Sequence, residues 1–172
     1  MTRPDPTHRH LVLIGLMGTG KTTVGRLLAE RLRRRFVDTD AEIERRSGRT
    51  VRDIFVADGE PEFRRIEAEV LDDSIAAEEP CVIAAAGGVV LSQANRDALR
   101  TGRCRVVWLV AEPEALVGRV RQGQHRPAIE ADPAGTLKLM AAEREALYRE
   151  SADAIVRVDG RTIQDVVDAV LR

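Results

Sequence analysis

The stretch GLMGTGKTTVG at residues 15–25 constrains this chain more than any other. From Gly15 to Thr22 it fits G-x-x-x-x-G-K-[ST], directly after the apolar run HLVLIGL and directly before KTTVGRLLAERLRR. In that second segment Val24, Leu27, Leu28 and Leu32 recur at three- and four-residue intervals, the spacing of an amphipathic helix. Strand, glycine-rich loop and helix in this order make a phosphate cradle: glycines let successive N–H groups point inward, and the helix N-terminus adds a positive dipole end. Gly15, Gly18, Thr19, Gly20, Lys21, Thr22 and Thr23 are therefore expected to bind a nucleotide, with Lys21 acting on the phosphates and the Thr22 hydroxyl on Mg²⁺. Thr23 caps or packs the same loop. Lysine at 21 is itself informative, because Lys21 and Lys138 are the only lysines among 27 basic residues. A compact ammonium fits a tightly wrapped loop that a planar guanidinium would crowd. A glycine-rich turn that binds nothing is the competing reading, and the flanking strand and helix weigh against it.

Four further apolar runs, RFVDTD (35–40), CVIAAAG (81–87), RVVWLVA (105–111) and AIVRVD (154–159), lack alternation, as parallel strands covered on both faces require. Helical spacing fills 39–48, 59–78, 92–102, 112–122, 132–152 and 162–172. The alternation implies an α/β layered domain with a mainly parallel sheet. At 172 residues and 44% hydrophobic content the chain can bury one core, so a single domain over residues 1–172 is expected. RQGQHRPAIEADPAG breaks the rhythm and reads as a mobile lid over about 120–135. The polar start reads as a disordered tail over 1–9, with His8 and His10 solvated. Cys81 and Cys104 show no CxxC spacing and read as buried, reduced thiols. A net charge of −1 offers no broad basic surface, and no apolar run approaches the roughly 18 residues of a membrane span. A cytoplasmic protein without nucleic-acid or membrane partners is expected. Few aromatics argue for a monomer.

The acceptor of the phosphoryl group must be read from the remaining residues. Asp38 and Asp40 end the second strand, at the crevice where ligands of open α/β sheets bind. One carboxylate can hold Mg²⁺ and the other can accept a proton from an attacking hydroxyl, although Asp40 could equally N-cap the following helix. In DGEPEFRRIEAEV, Arg64 and Arg65 lie among glutamates, and Phe55 and Phe63 suggest an apolar wall beside one carboxylate-binding arginine. Gly87 and Gly88 permit close backbone approach to a ligand, with a plain strand-to-loop turn as the alternative. Arg119, Arg121 and Arg126 bracket the lid, and a lid arginine would stabilise charge on the transferred group.

Taken together, GLMGTGKTTVGRLLAERL, FVDTDAEIERRSGRTVRDIF and DGEPEFRRIE resemble shikimate kinase, over nearly the whole chain from Leu11 onward. The resemblance implies a three-layer P-loop kinase fold of the nucleoside-monophosphate-kinase type, with five parallel strands, helices on the sheet and a small lid. It implies transfer of a phosphoryl group from ATP to the 3-hydroxyl of shikimate, with Mg²⁺. It makes Lys21, Asp40 and Arg126 catalytic, gives Mg²⁺ to Thr22 and Asp38, and lays Arg119 along the adenine. Asp40, Arg64, Gly87, Gly88 and Arg144 would bind the acceptor, with Glu67 orienting Arg64 by an ion pair and a residue near Arg161 flanking the adenine. One departure stands out: the family has three consecutive glycines where this chain has Ala86-Gly87-Gly88. That departure motivates a rival, a P-loop kinase of another polyol, cyclitol or sugar acid. A nucleoside-monophosphate kinase and a non-catalytic nucleotide-binding domain fit Asp40, Arg64 and Arg144 less well.

Overall fold

The computed structural model describes residues 8–121 and 131–172. Five strands form one sheet: β1 (His10–Ile14), β2 (Phe36–Asp38), β3 (Val82–Ala84), β4 (Cys104–Val110) and β5 (Ala154–Arg157). Their order is β2-β3-β1-β4-β5 and every pairing is parallel. Each strand lies within one of the expected apolar runs or overlaps it. The buried positions Leu11 to Ile14, Val82, Ile83 and Val106 to Leu109 supply the centre of the core. β1 is central, with β3 on one side and β4 on the other, so the chain reverses its direction of winding at β1. The crevice at such a switch point lies beyond the C-terminal ends of the strands, and the glycine-rich loop leaves β1 into it.

The helices are α1 (Lys21–Leu32), α2 (Thr39–Ser47), α3 (Val51–Ala76), α4 (Gln93–Leu99), α5 (Pro113–Arg121), α6 (Pro133–Ser151) and α7 (Ile163–Leu171), with a 3₁₀ turn at Val89–Leu91. β2 is shorter than the run 35–40 because Thr39 already begins α2. Periodicity placed no helix over 51–58, yet these residues are helical and run into the expected helix through a break at Gly59 (φ 82°, ψ 172°) next to Pro61. The start was marked all the same by a reciprocal cap: Thr50 accepts from the Asp53 N–H and Asp53 accepts from the Thr50 N–H. A small second core of Ile43, Ile54, Phe63 and Val70 fastens α2 to α3.

His10 corrects the reading of the N-terminal segment. It is not solvated but opens β1 at 2% exposure, where its Nδ1 accepts from the Cys81 N–H at 3.2 Å and lies 3.2 Å from Cys81 Sγ. Burial, reinforced by the charge of Arg103, holds its pKa below the ordinary imidazole value. Apolar strand residues on its C-terminal side outweigh the polar tail before it. Both cysteines are buried free thiols, and burial pushes Cys104 up to about 12. Of the expected tail, residues 1–7 lie outside the described residues, as do residues 122–130 of the expected lid.

Candidate active site

The loop after β1 shows why glycine is needed at 15. Its φ is 139°, and a Cβ built there would stand 2.3 Å from the Leu109 carbonyl oxygen. α1 then begins without a side-chain cap and without an acidic residue in its first turn. The contrast with its neighbours is informative: α2, α3, α4, α6 and α7 each begin with a side chain that accepts from their first N–H groups. An uncapped, positively polarised helix start with no competing carboxylate is suited to an anion. Lys21 extends over the same loop, its Nζ donating to Gly15 O at 2.8 Å and Leu16 O at 2.9 Å. Thr19 is buried and bonds Leu16 O, which fixes the loop's curl.

Beside this cradle the Thr22 hydroxyl donates to Asp38 Oδ2 at 2.6 Å. The other Asp38 oxygen accepts from the N–H groups of Asp40 and Ala41, so the cap of α2 is Asp38 and not Asp40. That frees the Asp40 carboxylate from the capping role. Met17 to Thr23, Asp38, Asp40, Ala86, Gly87, Arg119 and Arg161 line one cavity of about 550 Å³. At its rim Arg119 Nη1 donates to Gly18 O at 3.3 Å. Ala86 carries no strain: Arg33 is the one non-glycine with positive φ among the described residues. Its N–H donates to the buried Thr39 hydroxyl at 2.9 Å, and the residue lines the cavity.

Arg64, Gly88 and Arg144 do not line that cavity. They belong to a second cluster that adjoins it through Asp40 and Gly87. Arg64 bonds Glu67 at 2.9 and 3.1 Å and Glu60 at 3.1 and 3.3 Å, and its guanidinium lies 5.3 Å from the centroid of Phe63, which packs on Phe55. Arg65, one residue on, pairs with Glu62 and Glu69 in solvent, so only one of the two arginines faces inward. Glu67 is fully buried; burial pushes its carboxyl up, the Arg64 guanidinium opposes this, and the charges of Asp40 and Arg144 also reach it. Gly88 makes room for Arg64: a Cβ there would be 2.1 Å from Arg64 Nη1. Arg144 is 7% exposed, and its Nε lies 3.6 Å from Glu143 with no hydrogen-bond partner among the described residues. A buried donor left open is what an incoming carboxylate satisfies.

Thr23 lies at the exposed end of the cradle. Arg126 lies outside the described residues, with Gln122, Gln124 and His125. Sequence reasoning missed Thr39, Tyr148 and the apolar wall of Val158, Ile163 and Val166 on the side of the cavity where Arg161 stands. Thr39 looked like a spacer between two aspartates, and the wall comes from the end of β5 and the start of α7, far along the chain from the phosphate loop. Tyr148 carried one signal, its place four residues after Arg144 on the same helix face.

Among known proteins, the family described as shikimate kinase matches residues 17–172. A shikimate kinase from Symbiobacterium thermophilum is 52% identical over 166 residues, covering 94% of each chain. One from Pseudomonas entomophila is 44% identical over 164 residues, covering 95% of this chain and 94% of its own. Among solved structures, a shikimate kinase from Acinetobacter baumannii in complex with shikimate has a TM-score of 0.90 at 36% identity, covering 95% of this chain and 90% of that one.

Proposed function

The chain belongs to the shikimate kinase family, and from that premise we propose how its own residues carry the ATP-dependent phosphorylation of shikimate. The observation that carries the proposal is the meeting of an uncapped helix start and the Asp40 carboxylate in one cavity. The N–H groups of residues 18–22 cradle the ATP phosphates, and Lys21 exchanges its bonds to Gly15 O and Leu16 O for phosphate oxygens. Arg119 and Arg161, which both line the cavity, flank the adenine. Asp40 receives the 3-hydroxyl of shikimate, orients it for in-line attack and accepts its proton. Arg64, held by Glu67 and given room by Gly88, and Arg144 grip the carboxylate, while the backbone at Gly87 and Gly88 binds the acceptor.

Thr22 Oγ1 and Asp38 Oδ2, 2.6 Å apart beside the cradle, are hard oxygen donors suited to Mg²⁺, which takes few protein ligands when phosphates and water supply the rest. When bound, the ion neutralises charge between the β- and γ-phosphates. Arg126 acts as the lid arginine on the transferred group, and the lid excludes water. We place the enzyme in the cytoplasm as a monomer acting on small molecules: no helix of the described residues is long and apolar enough to cross a membrane, and the net charge of −1 does not favour nucleic acid.

ADP release with Mg-ATP, compared across shikimate, quinate, gluconate and nucleoside monophosphates, tests the reading. Turnover with shikimate alone is expected, with Lys21→Ala inactive and Arg64→Ala raising KM for shikimate far more than for ATP. Near-normal turnover by Lys21→Ala, or equal effects on both KM values in Arg64→Ala, would overturn the assigned roles.

A further inference from the structure

We infer that Tyr148 is a positioning residue for the acceptor carboxylate, acting through Arg144 and the Gly87 carbonyl; the inference rests on Arg144 as a carboxylate clamp. Tyr148 is 1% exposed on α6, one turn beyond Arg144, and stacks on Trp108 of β4 with ring centroids 5.5 Å apart. Its hydroxyl donates a hydrogen bond to Gly87 O, and the charge of Arg144, one turn back on the same helix face, reaches it. Burial pushes the phenol up to about 12, so it stays a donor at any working pH.

Two parts of the acceptor site therefore meet at Tyr148. On one side Arg144 buries an Nε that has no hydrogen-bond partner among the described residues. On the other stands the segment 86–88, fixed at each residue by a different side chain: Ala86 N–H by Thr39, Gly87 O by Tyr148, and Gly88 by the Arg64 guanidinium packed against it. A methyl group at Gly87 would lie 3.4 Å from Gly15 O and 3.7 Å from the Tyr148 hydroxyl, so this segment is also in touch with the phosphate loop. A tyrosine that only filled the core would need its ring and not its hydroxyl, because Phe would stack on Trp108 equally well. The hydroxyl instead ties the turn of α6 that carries Arg144 to a fixed backbone carbonyl. Without it, Arg144 keeps its charge and loses its orientation, and Gly87 O is left buried and unmet.

The test compares the native enzyme, Tyr148→Phe, Arg144→Ala and the double variant, with KM for shikimate, KM for ATP, and activity on the carboxamide of shikimate. Tyr148→Phe is expected to raise KM for shikimate by up to about tenfold, the upper end of what the loss of one buried hydrogen bond implies. KM for ATP should move by less than about twofold, and the preference for shikimate over its carboxamide should fall. With Arg144 already replaced, Tyr148→Phe should add almost nothing, because the two act as one unit. An unchanged KM for shikimate in Tyr148→Phe, an equal rise in both KM values, or the same rise with and without Arg144 would overturn the inference alone. An unchanged KM in Arg144→Ala would overturn the clamp reading and the inference with it. Tyr148 is the only tyrosine in the chain, so 3-fluorotyrosine labels this site alone and keeps the hydroxyl should the Phe variant misfold. Shikimate should then shift the ¹⁹F resonance more than its carboxamide does; equal shifts would overturn the inference.

Discussion

At the scale of single residues, glycines in this chain divide by what a methyl group would meet. Gly15 combines a φ of 139° with the Leu109 carbonyl 2.3 Å from a built Cβ. Gly15→Ala is expected to lose about 2–4 kcal/mol of stability in urea denaturation, together with nucleotide affinity. A Cβ built on Gly118 in α5 meets nothing within 4 Å among the described residues, and Gly118→Ala should gain about 0.5–1 kcal/mol in the same measurement. Gly88 is a third case, because the obstacle is the Arg64 guanidinium, which can move only by giving up Glu67 or Glu60. Gly88→Ala should therefore raise KM for shikimate more than it lowers the melting temperature, which steady-state kinetics beside a thermal melt would check. Ala86, one position earlier, sits on relaxed backbone, so the departure from three glycines costs no strain. The sequence shows that Ala86 differs; only the φ angles show that this backbone tolerates a side chain.

At the scale of elements, α3 shows what was legible and what was not. Its second part, 61–76, was visible from periodicity, whereas 51–58 was obscured because Gly59 and Pro61 look like a boundary when they mark a break within one continuous run. The break turns the chain so that Ile54 and Phe63 enter the same small core. Thr50 begins this element, and Thr50→Ala should cost about 1 kcal/mol in urea denaturation, the usual loss for a cap. The phosphate loop, the paired aspartates and Arg64 were legible because each is a local pattern whose chemistry needs adjacent residues. Tyr148 and the wall of Val158, Ile163 and Val166 were not, because they reach the site from elements far along the chain, and Thr39 was not, because its partner, the Ala86 N–H, is remote in sequence. Asp38 gave a mixed signal: two aspartates bracket the start of α2, and only the hydrogen bonds show which one caps it.

At the scale of the whole molecule, the sheet has two ends with different burdens. The C-terminal ends of the strands carry the ligand groups, and the N-terminal ends bury His10, Cys81 and Cys104. Burial makes His10 take up a proton less readily in the fold than an unfolded imidazole, which does so below about pH 6.5. Its contribution to stability is therefore complete above that pH and declines as the pH falls further. Urea midpoints at about pH 7.5 and about pH 5.5 should differ more for the native protein than for His10→Gln, with Glu67 common to both and so cancelling. On the alkaline side the sign reverses: Cys104 stays protonated in the fold up to about 12, so stability declines once unfolded thiols ionise near pH 9.

The stack of Trp108 on Tyr148 has a consequence for how the protein can be watched. The chain holds one tryptophan and one tyrosine, and they are these two. Nearly all of its ultraviolet absorption beyond the phenylalanine bands, and all of its tryptophan emission, therefore originates under the Gly87 carbonyl. An unfolding curve recorded by fluorescence follows this spot alone, while far-ultraviolet circular dichroism averages over every helix. If the acceptor floor loosens before the rest of the sheet, the two curves will separate; if they superimpose, that floor is as firm as the fold that carries it.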